Sequence, residues 1–540
     1  MLDLPLDPTD DRARPAFTDA ASCRSWLQQL QLTNLHQAHG ILRAQLDEFN
    51  RYPLRAQDRL QTLELLRETI VLVQRDYAKK LISKKLPLSH DELTVFVAIA
   101  GLWQGLVQGY QRCLQALLAG DRQVADLAAL LTQRCLRYTG LQIFEYLRTG
   151  YEFDSKLWHQ LHSLFAFAEE QDFPRREVAD ALHPSAQPST CLSVYAKTLL
   201  ACHVRPFELT RGQLQLLDRW LTQWRDVFSV EHQYAASKED APPLAVDLAS
   251  DQGLQAAQFV RPGSSVRYLP MVPLSKLLRV KTILLQQGQS AEQLELGPEC
   301  SSSDCAEFLN LLHRYCCEPA EQRKSERHTV ASSAELCFGI EAIYAHIAHK
   351  PFKAPRRKPG DDSAIYKQIV AFGEVLSDTD RFNAAEMGFA LEQWQIENES
   401  LLGSRVVRVV SAGGRVGVHH LVALKPSDAS AFIIGRTSWL VVTQSGQLRM
   451  GIQYFPGIAE PIAIREQGLN ASLADRTDAA LLLPAVPALK TPPSLIVPRE
   501  FFHANHLAEI THLDGKTETV KMGFSVDKGG DYERISFAPA

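Results

Sequence analysis

The sequence predicts a multidomain α + β protein, with an N-terminal all-α module followed by an antiparallel β module. Three observations predict it. Between residues 22 and 235 apolar side chains recur at the 3.6-residue spacing of helices. From 328 onward the spacing falls to two, in short runs divided by Gly, Ser and Pro. Between these halves, residues 236–264 change in composition: Lys238, Glu239, Asp240, Pro242 and Pro243 at one end, Pro262, Gly263, Ser264 and Ser265 at the other, read as the ends of a linker.

Each element has a local reason. Residues 1–21 are rich in Asp and Pro and are expected to be a loose tail. Residues 60–73 place Leu60, Leu63, Leu66, Ile70 and Val73 on one helical face. Pro87 and Ser89 mark a break and a helix cap, and Thr94 to Leu118 reads as a long, nearly all-apolar helix. Further helices are expected at 124–149, 154–171, 186–204 and 210–228, with short loops that favour antiparallel neighbours. Residues 158–169 have the look of one helix of a helical-pair repeat, but no second copy follows. The module is therefore a helical bundle or a helical-repeat array, with the bundle preferred. Residues 265–319 read as a helical connector, with helices at 273–287 and 304–317.

The β half begins after Arg327. Residues 405–410 and 416–424 read as one hairpin turned at Gly413 and Gly414, and 432–442 with 448–455 as another turned at Gln444, Ser445 and Gly446. Runs at 480–484, 494–498, 507–510 and 532–537 add four strands, expected to form a β extension over 471–540.

Composition narrows the function. A chain of 540 residues has room for about three or four domains. A formal net charge of −5 argues against general nucleic-acid binding, which wants a basic surface, while leaving room for a locally basic pocket. With no run of about 18 apolar residues, no membrane span is expected. The acidic start lacks the basic and apolar regions of a secretory signal. Ten scattered cysteines without a framework read as reduced thiols, so the expected location is cytoplasmic.

The chemistry is concentrated at both ends of one stretch. Arg323 and Arg327 lie four apart just before a β run, and Asn398, Ser400 and Gly403 follow another β run that contains Trp394 and Ile396. Arginine donates bidentate hydrogen bonds to phosphate and stacks on flat rings. Asn and Ser can bond a base edge, and Gly lets backbone approach a ligand closely. Separately, each motif is ordinary surface composition; their order gives them weight.

In that order the residues resemble the PilZ domain, a small β-barrel that binds the bacterial messenger cyclic di-GMP. Its signature is Arg-x-x-x-Arg leading into the first strand, then Asp/Asn-x-Ser-x-x-Gly after the next. Arg323, Arg327, Asn398, Ser400 and Gly403 match it position by position, and the runs at 434–439 and 451–455 are similar to later strands of the family. The resemblance implies a C-terminal antiparallel β-barrel over 320–470. It also implies a ligand, cyclic di-GMP, whose phosphates and guanine are held by Arg323 and Arg327 and whose guanine edge meets Asn398 and Ser400, with Gly403 allowing the turn. It implies a binding protein and not an enzyme, with the helical module as a docking surface for an unnamed partner protein. The departure is spacing. About 70 residues separate the motifs where the family has a few tens, which implies an insertion near 346–390. That insertion leaves a second reading: a degenerate PilZ-like scaffold that binds no nucleotide. Within the insertion, 353–358 is a basic, Pro-containing loop, and 364–375 a candidate short helix.

Other constellations are set aside. The histidine pairs His159/His162, His346/His349, His419/His420 and His503/His506 lack the companions of a zinc site, so no metal is expected. No compact nucleophile, acid/base or phosphate-loop motif is present, and no cofactor is expected.

Overall fold

Helical spacing in the N-terminal half becomes a run of helices, most of them opened by capping side chains. The computed structural model describes residues 2, 4, 8–81, 85–182, 187–234, 241–298, 300–319, 328–354, 388–409, 413–467 and 477–540. They fall in two units, Met1–Lys84 with Leu88–Gln322, and Lys85–Pro87 with Arg323–Ala540.

The first unit begins with α1 (Ala20–Gln29), α2 (Leu35–Arg51), α3 (Ala56–Ala78), α4 (His90–Leu118), α5 (Ala128–Thr149), α6 (Lys156–Glu170), α7 (Cys191–His203) and α8 (Arg211–Gln223). Ser89 opens α4 as expected. Its hydroxyl accepts from the Glu92 amide, and the Glu92 carboxylate accepts from the Ser89 amide at 2.9 Å. This reciprocal cap satisfies two donors at the positive end of the helix dipole. By length and composition alone α4 could cross a bilayer, yet half of its apolar window is buried within the unit. Phe96, Ile99, Leu106, Tyr110 and Leu114 are among its buried residues, and α2, α3 and α5 pack against it. A helix apolar nearly all round is what a bundle core requires.

Charge also holds this bundle together. Asp180 meets Arg67 at 2.8 Å, Arg137 at 2.9 Å and Arg134 at 3.4 Å, while Glu64 meets Arg134 at 2.9 Å and Arg67 at 3.0 Å. Burial pushes the Asp180 carboxyl up, but Arg137, Arg134 and Arg67 outweigh it and hold it below its ordinary range.

Two expectations are corrected here. The tail is not wholly loose: Ala13 and Phe17 are buried, and the Phe17 ring lies 5.0 Å from Trp26 and 5.4 Å from Phe49. Burying one phenylalanine, worth about 1.5–3 kcal/mol, overrides the loop-like composition around it. The expected linker at 236–264 is also part of the fold. It supplies β1 (Leu244–Asp247) and β2 (Gln255–Ala256), which join β3 (Val266–Leu269) in an antiparallel sheet ordered β2-β1-β3. Arg267 of β3 pairs with Glu169 of α6 at 2.8 Å, and His162 of α6 bonds the Gln252 carbonyl at 2.9 Å. The following α9 (Val272–Gln286) and α10 (Ser302–Cys317) belong to the same unit: the Trp220 indole donates to the Leu296 carbonyl at 2.9 Å and packs 5.2 Å from Phe308. Pro and Gly here mark turns between very short strands.

The second unit contains two closed antiparallel barrels. The first, ordered β4-β5-β6-β9-β8-β7, uses β4 (His328–Phe338), β5 (Glu392–Ser400), β6 (Gly403–Arg408), β7 (Leu421–Pro426), β8 (Ile433–Val442) and β9 (Leu448–Tyr454). The second, ordered β10-β11-β12-β15-β14-β13, uses β10 (Glu460–Gln467), β11 (Thr477–Leu483), β12 (Ser494–Pro498), β13 (Leu507–His512), β14 (Thr517–Lys528) and β15 (Tyr532–Pro539). The β8–β9 hairpin is as expected, with Gly446 left-handed at its turn. The other expected hairpin is not formed: β6 pairs with β5 and β9, whereas β7 pairs with β4 and β8. Barrel closure, not chain adjacency, sets those neighbours. The expected extension at 471–540 is most of a separate barrel that begins at Glu460, with β10 and β14 added to the four strands anticipated. After β4 comes α11 (Ile340–Ala348). The candidate helix at 364–375 and all but the first two residues of the basic loop at 353–358 lie outside the described residues.

The barrels share a core. Cys337, Leu421, Ala423, Ile434 and Phe455 of the first side pack with Leu481, Leu483, Ile496 and Tyr532 of the second, and α11 adds Ala342 and Ile343. This explains the unbroken apolar run of β7. Val422 and Leu424 are paired with Phe338 and Leu336, while Leu421 and Ala423 face the shared core.

Two outcomes follow. A fragment of residues 1–319 is expected to melt as one cooperative helical transition by circular dichroism. Residues 1–240, which lack Leu296 and Phe308 beside Trp220 and Gln252 beside His162, are expected to melt lower, by an amount comparable to deleting a buried aromatic, about 3–5 kcal/mol. The second concerns pH. His162 is buried and satisfied as the neutral ring, taking the Tyr195 hydroxyl proton at 2.7 Å and donating to Gln252, and burial pushes its pKa down to about 4. Between about 6.5 and 4 the unfolded chain binds this proton and the native chain does not, so stability falls as pH falls. In His162→Gln the slope of unfolding free energy against pH over that window should be shallower by about one proton, measured by denaturant melts.

Candidate functional site

The strand that begins one residue after Arg327 pairs with the strand that carries Asn398 and Ser400. β4 and β5 run antiparallel with His328 opposite Glu399 and Thr329 opposite Asn398. Arg323 and Arg327 themselves lie outside the described residues, but His328 follows Arg327 directly in the chain. Most of the residues that separate the motifs fall between α11 and β5 in the chain, and the β4–β5 ladder is formed. Asn398 and Ser400 stand on β5, and Gly403 opens β6 across a two-residue turn.

Local chemistry shapes this turn. The Ser400 hydroxyl donates to the Gly403 carbonyl at 3.1 Å. A Cβ on Gly403 would sit 2.1 Å from the Ile452 carbonyl oxygen, so glycine is required there by the close approach of β9. The turn residue Leu401 is 90% exposed, an unusual place for a large apolar side chain.

Register then assembles an outer face around the turn. Directly paired residues share a face, which places Thr329, Asn398, Arg405 and Gly451 in one row and Ser400, Gly403, Gln453 and Arg436 in the next. Trp439 lies over Gly451, where a Cβ would meet the indole nitrogen at 2.1 Å. Glu397, the extra residue at a bulge in β5, holds Arg405 at 2.9 Å and Arg449 at 3.2 Å. Arg436 donates to Gln453 at 3.1 and 3.0 Å and pairs with Asp527 at 2.6 Å. On the alternate face Glu399 accepts from the Tyr454 hydroxyl at 2.9 Å, and burial pushes that phenol up. The face thus offers guanidinium donors, an amide, a hydroxyl and a half-buried indole, a set suited to an anion with a flat ring.

Of the five residues expected from sequence, the structure brings Asn398, Ser400 and Gly403 together on one hairpin. Sequence reading did not single out Arg405, Arg436, Trp439 or Gln453. Their signal is the period of two: Arg405 lies two residues after Gly403, and Trp439 sits in a run already noted for its similarity to later strands.

Comparison with known proteins gives the same outline. Residues 21–235 match the family described as cyclic-di-GMP receptor FimW, N-terminal domain. Residues 468–540 match FimW C-terminal beta-barrel domain. Both ends of the chain match FimW domain families. The chain is also similar to the cyclic-di-GMP receptor FimW of Pseudomonas aeruginosa, 22% identical over 593 aligned positions that cover 99% of this chain and 93% of that one. The FimW-like C-terminal stretch falls in the second barrel, and the hairpin bearing Asn398 and Gly403 lies between the two matched stretches. Among solved structures, MrkH, described as a c-di-GMP dependence transcription regulatory factor, aligns over 41% of this chain and 87% of its own at 8% identity, with a TM-score of 0.13, too low to argue from.

Gly403→Ala is expected to destabilise the second unit by at least the cost of overpacking, about 1–3 kcal/mol, because the obstruction is backbone and not a movable side chain. Denaturant melts of the variant against the wild type measure it.

Proposed function

We propose that this chain is a bacterial, cytoplasmic cyclic di-GMP receptor that binds the dinucleotide on the outer face of its first, PilZ-like barrel and acts by binding, without catalysis. The observation that carries this reading is the register of His328 opposite Glu399 and Thr329 opposite Asn398, because it leaves the segment of Arg323 and Arg327 continuous with the strand beside Asn398 and Ser400. The description of the Pseudomonas aeruginosa relative and of the N-terminal domain family as cyclic-di-GMP receptor FimW supports the ligand class. In this reading Arg323 and Arg327 clamp phosphate and stack on guanine, Asn398 and Ser400 meet the guanine edge, and Gly403 lets the backbone turn. In the same reading, binding of the ligand at Arg323 and Arg327 is relayed to the helical unit and its partner protein.

Isothermal titration of the full chain with cyclic di-GMP, against GTP and cyclic GMP, tests the reading. A charge-assisted arginine–phosphate contact is worth about 1.5–3 kcal/mol, and each 1.4 kcal/mol is about tenfold. Losing it with a guanine stack in Arg327→Ala should weaken binding by about two orders of magnitude or more. Arg327→Lys should rescue little, since the ammonium lacks the fork and the flat face. Ser400→Ala should cost only about 1 kcal/mol. Equal binding by wild type and Arg327→Ala would assign the arginines to a solvated turn. A wild type that does not bind would leave the scaffold reading.

A further inference from the structure

The second barrel brings together three side chains that the cyclic di-GMP reading does not use. Glu466 stands on β10, and His503 and His506 on the segment between β12 and β13. The Glu466 Oε1 atom lies 2.5 Å from His506 Nδ1 and 3.3 Å from His503 Nδ1. The two imidazoles stack with centroids 5.2 Å apart and planes 27° from parallel. All three donor atoms lie within 4.8 Å of one another.

This convergence is built into the fold. Phe501 and Phe502 pack on the core of the second barrel, which anchors the segment just before His503. Asn505 is left-handed, at φ 67°, and its amide donates to the Met522 carbonyl at 2.9 Å. The Met522 amide in turn donates to the His506 carbonyl at 2.9 Å. Two imidazoles on a turn pinned to β14 therefore face a carboxylate on β10, a different element. The Glu466 side chain is largely covered, while those of His503 and His506 are 50% and 54% exposed.

We propose that Glu466, His503 and His506 form a divalent-cation site of the zinc type on the second barrel. Zinc takes imidazole nitrogen and carboxylate oxygen at about 2.0–2.2 Å, which at tetrahedral angles sets donors about 3.3 Å apart. The His503–Glu466 separation has that value, and the shorter His506–Glu466 separation opens to it by about 1 Å when a cation replaces the shared proton. Three protein donors and one solvent-facing position match a site completed by water. Binding would tie the segment before β13 to β10 and stabilise the native barrel by mass action.

The test uses the full chain, stripped of metal by a chelator and titrated calorimetrically with zinc chloride, beside His503→Ala/His506→Ala and Glu466→Gln. Wild type should bind one zinc ion more than the double variant. Glu466→Gln should bind that ion about 100-fold more weakly or worse, since even a group behind a ligand costs about 10–100-fold. Added zinc should raise the melting temperature of wild type and not that of the double variant. Cysteines and histidines elsewhere contribute equally to all three proteins; His503 and His506 are half-exposed and Glu466→Gln keeps the shape of its side chain, so circular dichroism can verify the fold of each variant. Equal zinc stoichiometry and affinity in wild type and double variant would overturn the proposal, as would no binding by wild type or equally tight binding of magnesium.

Discussion

The antiparallel register between β4 and β5 is the constraint on which the candidate site depends. Ladder hydrogen bonds hold His328 beside Glu399 whatever the length of chain between the strands. Loop closure grows only logarithmically with length, about 0.6 kcal/mol per doubling, so a long insertion costs little once the ladder is formed. The register is itself strongly specified. Trp394 and Ile396 fill the first barrel from β5, and a one-residue slip would turn both outward and bring their polar neighbours Gln393, Gln395 and Glu397 in. The core of the barrel thus determines which side chains meet at its outer face.

That face is mechanically continuous with the second barrel. Arg436 holds Gln453, next to Gly403 in the ladder, and also Asp527 of β14. Beside it, Asp531 accepts from the Leu421 amide at 2.9 Å, and the Gly530 amide donates to the His419 carbonyl at 2.7 Å. With the apolar cluster around Tyr532 and Phe455, these bonds make the two barrels one packed body, and not a barrel with a loose appendage. A family in which a C-terminal barrel is recognised as a domain of its own fits this, because the second barrel closes its own hydrogen bonds while sharing a core with the first.

Local signals were legible in the sequence, and non-local pairing was not. The Ser89–Glu92 cap and the apolar face of α3 follow from residues within a few positions of each other, and both stand as read. The pairing of β6 with β9 and of β7 with β4 spans long separations, and adjacency misled the reading toward a 405–424 hairpin. Strands as short as β1 and β2 carry too few alternations to distinguish from a linker, so their pairing into a sheet with β3 was invisible. At the site, Asn398, Ser400 and Gly403 were legible as a motif. The outer-face neighbours Arg405 and Trp439 were not, because only the register of three strands puts them beside it.

The helical unit solves a different problem, that of holding buried charge. Placing three arginines around the buried Asp180 costs desolvation that an apolar core would avoid. Such a network is tolerable only when each charge is paired, and removing one partner typically costs about 3–5 kcal/mol. Here Asp180 is shared among Arg67, Arg134 and Arg137, and Glu64 closes the set with help from the Tyr110 hydroxyl at 2.7 Å. Directional bonds of this kind fix α3, α5 and the segment around Asp180 in one mutual orientation, where apolar contacts alone permit sliding. A surface carried on helices so fixed is presented in one shape, and any change in it must come from outside the network.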